Sequence, residues 1–140
     1  MFNPSRDEVR ELFFRAWRAY RQGLPLAGIE ALALEVILQH PEYHGVLESP
    51  ERFRDKDYVD ESNPFLHMSL HMALEEQLSI DQPRGIRAAW EALLKRAGDR
   101  HAALHAALEC LAETIWHAQR DGAPPDAAAY LSCLERRARA

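Results

Sequence analysis

The amino-acid sequence predicts an all-α protein built from five to six helices. Apolar residues recur at helical spacing along most of the 140 residues, β-branched residues are scarce, and Gly and Pro separate the periodic stretches. We therefore expect a single helical domain over residues 1–140. Its form would be a bundle with short connections and one long loop near residues 48–62.

The first two helices are delimited by residues that favour helix ends. Asn3 is a good N-cap residue, Pro4 is tolerated at the first helical position, and Gly23 suits a left-handed C-cap. The second helix covers about residues 27–40, where Pro41 stops it. It is apolar on almost every side, so we expect it to lie centrally.

The segment after Pro41 is less regular than the rest of the chain. We expect a short helical turn at about residues 42–47, followed by a long and highly charged loop to residue 62. A loop of this length in a small domain is often functional or mobile. We favour a solvated connector, and the alternative is a contact surface built around Phe53 and Tyr58.

The last four helices also have clear start and stop signals. Asn63-Pro64 repeats the opening signal of the first helix, Gly98 ends one helix, and Asp99 and Asp126 are N-cap candidates for two others. The predicted ranges are about 63–79, 84–97, 99–120 and from 126 onwards.

Composition and charge exclude several classes of protein. Hydrophobic residues make up 47% and charged residues 28% of the chain, an ordinary balance for a globular protein. A formal net charge of −5 without a long Lys/Arg run gives no electrostatic basis for nucleic-acid binding. The polar N-terminus is unlike a secretory signal, and no apolar run approaches the ~20 residues of a membrane span. We expect a cytoplasmic protein that binds neither nucleic acid nor membranes.

The two cysteines, Cys110 and Cys133, both lie in helical patterns. Two cysteines do not form the disulfide framework of a small secreted protein. We expect each of them to act as a small core residue.

Two stretches repeat one pattern, H-x-x-L-H-x-A-L-E, at residues 67–75 and 101–109. Residues four apart share one face of a helix. In both stretches the histidines fall inside the apolar face, where uncompensated polar groups are costly to bury. Two such helices could point several ligands at one metal ion. The predicted ligands are His67, His71, Glu75, His101, His105 and Glu109.

Imidazole and carboxylate groups are ligands for Zn, Fe or Mn, so we expect a divalent metal as cofactor. No Gly-rich phosphate loop is present, so no nucleotide cofactor is expected. His40 and His44 are weaker candidates at the mouth of this site, and a solvated or capping role is favoured for both. The alternative for His67 and His71 is a structural role in hydrogen bonds to Glu side chains.

Several segments together resemble one bacterial family, namely MFNPSRDEVR, HPEYH, NPFLHMSLHMALEEQLSIDQP, ECLAETIWHAQR and PPDAAAYLSCL. The chain is similar over nearly its whole length to the domain of unknown function (DUF) 1841 family. The resemblance implies a stand-alone bacterial cytosolic protein and supplies no mechanism. Two hypotheses follow: a metal-binding helical bundle without an assigned reaction, or a non-catalytic module that binds a protein partner or a second copy of itself.

Overall fold

The computed structural model describes residues 6–58 and 63–140, and within these ranges it contains helices and no strand. The all-α class is therefore confirmed. The described residues form eight α-helices and one short 3₁₀ helix, Pro41–Tyr43. The α-helices are α1 (Arg6–Arg21), α2 (Ile29–Leu38), α3 (His44–Leu47), α4 (Pro50–Phe53), α5 (Pro64–Ile80), α6 (Ile86–Ala97), α7 (Arg100–Asp121) and α8 (Ala127–Arg139).

The predicted count of five to six helices is wrong because two of the eight are very short. Helices α3 and α4 have four residues each, too few to show a periodic apolar pattern. α4 also lies inside the segment 48–62, so the expectation of a continuous loop is wrong for residues 50–53. Residues 59–62 of the predicted loop, and the predicted cap at Asn3, lie outside the described residues.

The chain divides into two compact units, Met1–Met72 and Ala73–Ala140. Helix α5 begins in the first unit and ends in the second. The expectation of one domain over residues 1–140 stays a prediction. No described helix has both the length and the apolar character needed to cross a membrane.

The core of the first unit is formed by α1, α2 and the first half of α5. Its apolar side chains include Phe13, Trp17, Val36, Ile37, Phe65 and Met68. Gly23 ends α1 with a φ of +69°, in the left-handed region that glycine adopts readily. The amide of Leu24 donates to the carbonyl of Ala19 at 2.9 Å, as expected for a left-handed C-cap, and this prediction is confirmed.

A buried arginine of α1 fixes the segment that follows α4. Arg10 is only 2% exposed, and its Nη1 atom donates to the carbonyl oxygens of Arg54 at 2.9 Å and Lys56 at 2.7 Å. Its guanidinium also lies 4.9 Å from the centre of the Phe65 ring. The two carbonyl groups lie outside the helices, and Arg10 supplies hydrogen-bond donors to them. These bonds hold the charged segment after α4 against α1.

Local capping signals predict the helix starts correctly. The side chain of Asn63 accepts hydrogen bonds from the amides of Phe65 and Leu66, and Asp99 accepts from the amides of His101 and Ala102. Asp126 likewise accepts from the amide of Ala129. Each cap satisfies amide groups that have no partner within the helix.

The second unit is held together by α6, α7 and α8 around buried residues that include Leu74, Ile86, Leu93, Leu104, Leu108 and Leu134. Cys110 of α7 and Cys133 of α8 form a disulfide bond there. Both residues are buried, as expected. The expectation that they remain simple core residues without a disulfide is wrong, because the packing of α8 on α7 brings their Cα atoms to within 5.8 Å.

Candidate metal centre

Three histidines of the first unit converge on one point. His40 follows the end of α2, whereas His67 and His71 lie one turn apart on α5. His40 continues the inner face of α2, because it follows Ala33 by seven residues and Val36 by four. Both His40 and His71 are 3% exposed, and His67 is half-buried.

The imidazole Nε2 atoms face one another. Nε2 of His71 lies 3.1 Å from Nε2 of His40 and 3.2 Å from Nε2 of His67. All three residues can offer ligand atoms within 4.8 Å of one another. The rings meet edge to face, with the ring centres of His40 and His71 separated by 4.5 Å at an interplanar angle of 71°.

The contact of the second nitrogen of His40 identifies the tautomer of its ring. Nδ1 of His40 lies 2.7 Å from the carbonyl oxygen of Val36. Since a carbonyl only accepts hydrogen bonds, Nδ1 carries the proton and donates it. In this tautomer Nε2, the nitrogen that faces His71, has the lone pair. Histidine ligands of metals are commonly oriented by such a bond from the other ring nitrogen to a backbone carbonyl.

The spacing of the nitrogens is compatible with the coordination of one metal ion. One Nε2 atom has either one proton or one lone pair, so His71 cannot form two well-directed bonds through this atom with both neighbours. A metal ion would instead accept the lone pairs of all three rings. Nitrogens bound to zinc at 2.0–2.1 Å in tetrahedral geometry are ~3.3 Å apart, close to the two separations found here.

Tyr43 forms one wall of the centre. Its ring stacks on His40 with 5.4 Å between ring centres and an interplanar angle of 8°, and it meets His67 edge-on at 6.0 Å. Burial raises the pKa of the Tyr43 phenol, and the nearby negative charge of Glu42 raises it further. The phenol is therefore a neutral neighbour of the histidines at physiological pH.

The structure changes the ranking of the histidines near Pro41. The favoured role for His40 was a solvated or capping one. His40 does cap α2 through its bond to Val36, but it is buried and completes the three-histidine group. For His44 the capping role is confirmed, because its Nε2 donates to the carbonyl of Ile37 at 2.9 Å. The signal that the sequence offered was the position of His40 on the apolar face of α2.

Two of the six predicted ligands, His67 and His71, belong to the three-histidine group. The other four, Glu75, His101, His105 and Glu109, lie in the second unit.

The two predicted carboxylate ligands, Glu75 and Glu109, form ion pairs with arginines. Glu75 accepts a hydrogen bond from Arg100 at 2.9 Å, and Glu109 accepts one from Arg137 at 2.8 Å. His101 is exposed, so the expectation that both histidines of the second stretch lie inside the apolar face is wrong for this residue. The rings of His101 and His105 pack 4.2 Å apart. The assignment of these residues as metal ligands stays a prediction.

Comparison with known proteins assigns the chain to a family. The family model described as Domain of unknown function (DUF1841) matches residues 5–136. The chain belongs to the DUF1841 family. Neither the curated proteins nor the solved structures include a match to it. The three histidines of this DUF1841 chain all lie within the matched residues.

Proposed function

We propose that this DUF1841 protein binds one divalent transition-metal ion through the Nε2 atoms of His40, His67 and His71. The observation that carries the proposal is the convergence of three imidazole nitrogens on one point inside the first unit. The bond from His40 to the Val36 carbonyl supports it, because it holds the ring in the tautomer that a metal requires.

The donor set favours particular metals. Three neutral imidazoles suit Zn²⁺ or Fe²⁺, whereas Mn²⁺ prefers oxygen ligands and fits this group less well. Three protein ligands also leave one coordination position open in a tetrahedral site. Such open sites occur in metalloenzymes, where zinc lowers the pKa of a bound water or polarises a substrate oxygen. The proposal covers metal binding with one coordination position that the three histidines do not fill, and it assigns no substrate.

Metal analysis of the full chain tests this proposal. The protein is produced without a histidine tag, stripped with a chelator, reloaded with Zn²⁺ or Fe²⁺ and dialysed before its metal content is measured. One equivalent per chain is expected for the wild type. The single variants His40→Ala, His67→Ala and His71→Ala are expected to lose most of it, and His71→Gln serves as a second variant of similar size.

Two histidines outside the group provide matched controls. His44→Ala and His117→Ala are expected to retain the full metal content. The variants His101→Ala and His105→Ala test the earlier ligand prediction, because only a ligand should lower the metal content when it is removed. The proposal fails if the wild type retains only a trace of metal, or if a correctly folded His71→Ala protein retains a full equivalent.

The interaction-module alternative is less well supported by the contacts of its proposed surface. Phe53 and Tyr58 are half-buried and pack against the core of the first unit, so they do not present a free contact surface. We retain three further proposals from composition: no nucleic-acid or membrane partner, no nucleotide cofactor, and a cytoplasmic location. Association with a protein partner or a second copy is also retained as a proposal.

A further inference from the structure

The second unit contains an open cleft between the C-terminal half of α7 and the start of α8. Its volume is about 600 Å³. Among the residues that line it are both members of the disulfide, together with Glu113, His117, Ala129 and Arg136. The disulfide is thus part of the cleft wall. Both cysteines are buried, Cys110 completely and Cys133 with 7% of its surface exposed, so Cys133 is the more exposed of the two residues.

We propose that the Cys110–Cys133 disulfide is a site of thiol–disulfide exchange with low-molecular-weight thiols that enter through this cleft. Access is a main determinant of whether a protein disulfide reacts, together with the pKa values of the attacking and leaving thiols. Here the disulfide between α7 and α8 lines a cleft that is large enough for a small peptide thiol. The proposal concerns the second unit and is independent of metal binding in the first.

The exchange proceeds in two balanced steps. A thiolate attacks the Cys133 sulfur, a mixed disulfide forms at Cys133, and Cys110 leaves as a thiolate that takes up a proton. A second thiolate then attacks the sulfur of the bound thiol, which releases a symmetrical disulfide and the Cys133 thiolate, which is protonated in turn. In sum, two small thiols are oxidised and the protein disulfide is reduced to two thiols.

The charges around the cleft indicate which small thiols fit. Three carboxylates provide negative charge, those of Glu113, Asp121 and Asp126, whereas Arg136 provides a positive charge. Nε2 of His117 lies 3.7 Å from Oε1 of Glu113, and both residues line the cleft. Walls of mixed sign suit a zwitterionic thiol that carries carboxylates and an ammonium group. Glutathione has this chemistry and serves as the probe.

The kinetics of reduction test the proposed route. The full-length protein is mixed with increasing reduced glutathione in the presence of a chelator, and free thiols are alkylated and counted by mass spectrometry. Direct attack predicts a rate that rises linearly with glutathione concentration. Filling the cleft with Ala129→Trp is expected to slow reduction about tenfold, because access decreases. Ala128→Trp, a neighbouring exposed position outside the cleft lining, is the matched control and should not slow it.

Two results would overturn the proposal. One is a rate that levels off at the global unfolding rate measured in urea, since thiols would then reach the sulfurs only in unfolded protein. The other concerns the attacked residue. With oxidised glutathione, Cys110→Ser protein should form an adduct at Cys133, whereas Cys133→Ser protein should leave the buried Cys110 unmodified. Equal modification of both variants contradicts attack at Cys133.

Discussion

Nε2 of His71 lies 3.1 Å from Nε2 of His40, although 31 residues separate them in the chain. Both rings are buried, and the contact joins the end of α2 to the middle of α5. Two neutral imidazoles in contact share at most one hydrogen bond through these atoms. A bound metal ion would instead be a common partner for the Nε2 atoms of His40, His67 and His71.

Metal binding should therefore stabilise the native protein. At a free Zn²⁺ concentration of 100 Kd the gain is about 2.7 kcal/mol, which corresponds to a rise in Tm of roughly 5–10 °C. Differential scanning fluorimetry of the stripped protein measures this shift. His71→Ala should show little of it, and His117→Ala should show all of it. An equal shift in all three proteins would mean that zinc binds elsewhere.

Replacement of Arg10 by methionine should destabilise the first unit strongly. The change removes a buried guanidinium that donates to the carbonyls of Arg54 and Lys56, so both carbonyls lose this donor. We expect a loss of about 2–4 kcal/mol in the free energy of unfolding. Urea denaturation followed by circular dichroism gives the value.

Arg6→Met is the matched control for Arg10. Arg6 is half-exposed and pairs with the exposed Asp57 at 2.8 Å, so its loss should cost less than about 1 kcal/mol. Equal effects of the two changes would show that burial of Arg10 adds nothing.

Reduction of the disulfide should lower the stability of the second unit. Cys110 and Cys133 are 23 residues apart, and closing a loop of that size in the unfolded chain is worth about 3 kcal/mol. Urea denaturation with and without a strong reductant measures the loss. The Cys110→Ala/Cys133→Ala double variant should be insensitive to the reductant. A wild-type curve that does not move after complete reduction would contradict the expectation.

Alkaline pH should weaken the second unit through Tyr130. This phenol is 2% exposed, donates to Oε1 of Gln77 at 2.7 Å, and has its pKa raised by burial. Its contribution is fully present below about pH 10, the pKa of an unfolded tyrosine. Above that value the unfolded chain loses the proton first. Stability then falls with rising pH, by at most about 1.4 kcal/mol per pH unit for this group.

Tyr130→Phe tests this pH dependence. The variant should lose about 1 kcal/mol near neutral pH, because the hydrogen bond to Gln77 is absent. It should also show a shallower decline between pH 9 and pH 11 in urea titrations. Parallel declines for wild type and variant would assign the effect to other groups.

The sequence predicts the local features of this fold well. Caps at Asn63, Asp99 and Asp126, and the glycine end of α1, depend on a few adjacent residues, and all are present. The helical turn expected at about residues 42–47 is present as α3. Helix α4 was not predicted because it is a single turn in which periodicity cannot appear. The segment after α4 is fixed by Arg10, more than 40 residues away in the chain, and no local signal encodes that bond.

Only part of the candidate site could be predicted, because local sequence patterns do not show contacts between distant parts of the chain. His67 and His71 share one helix, so their spacing revealed the shared face. His40 comes from a different helix, and only the packing of α2 against the rest of the first unit makes it a neighbour. The disulfide is a similar case, since nothing in the spacing of Cys110 and Cys133 distinguishes two paired cysteines from two separate core residues.

The two units carry different kinds of cross-link between distant positions in the chain. With the proposed metal bound, the first unit is tied between residues 31 positions apart, whereas the second is tied by a disulfide across 23. A chelator removes the first tie and a thiol removes the second, and each loss widens the unfolded ensemble of one unit only. The supply of metal would thus change stability through the first unit, and the redox state of the surroundings would change it through the second.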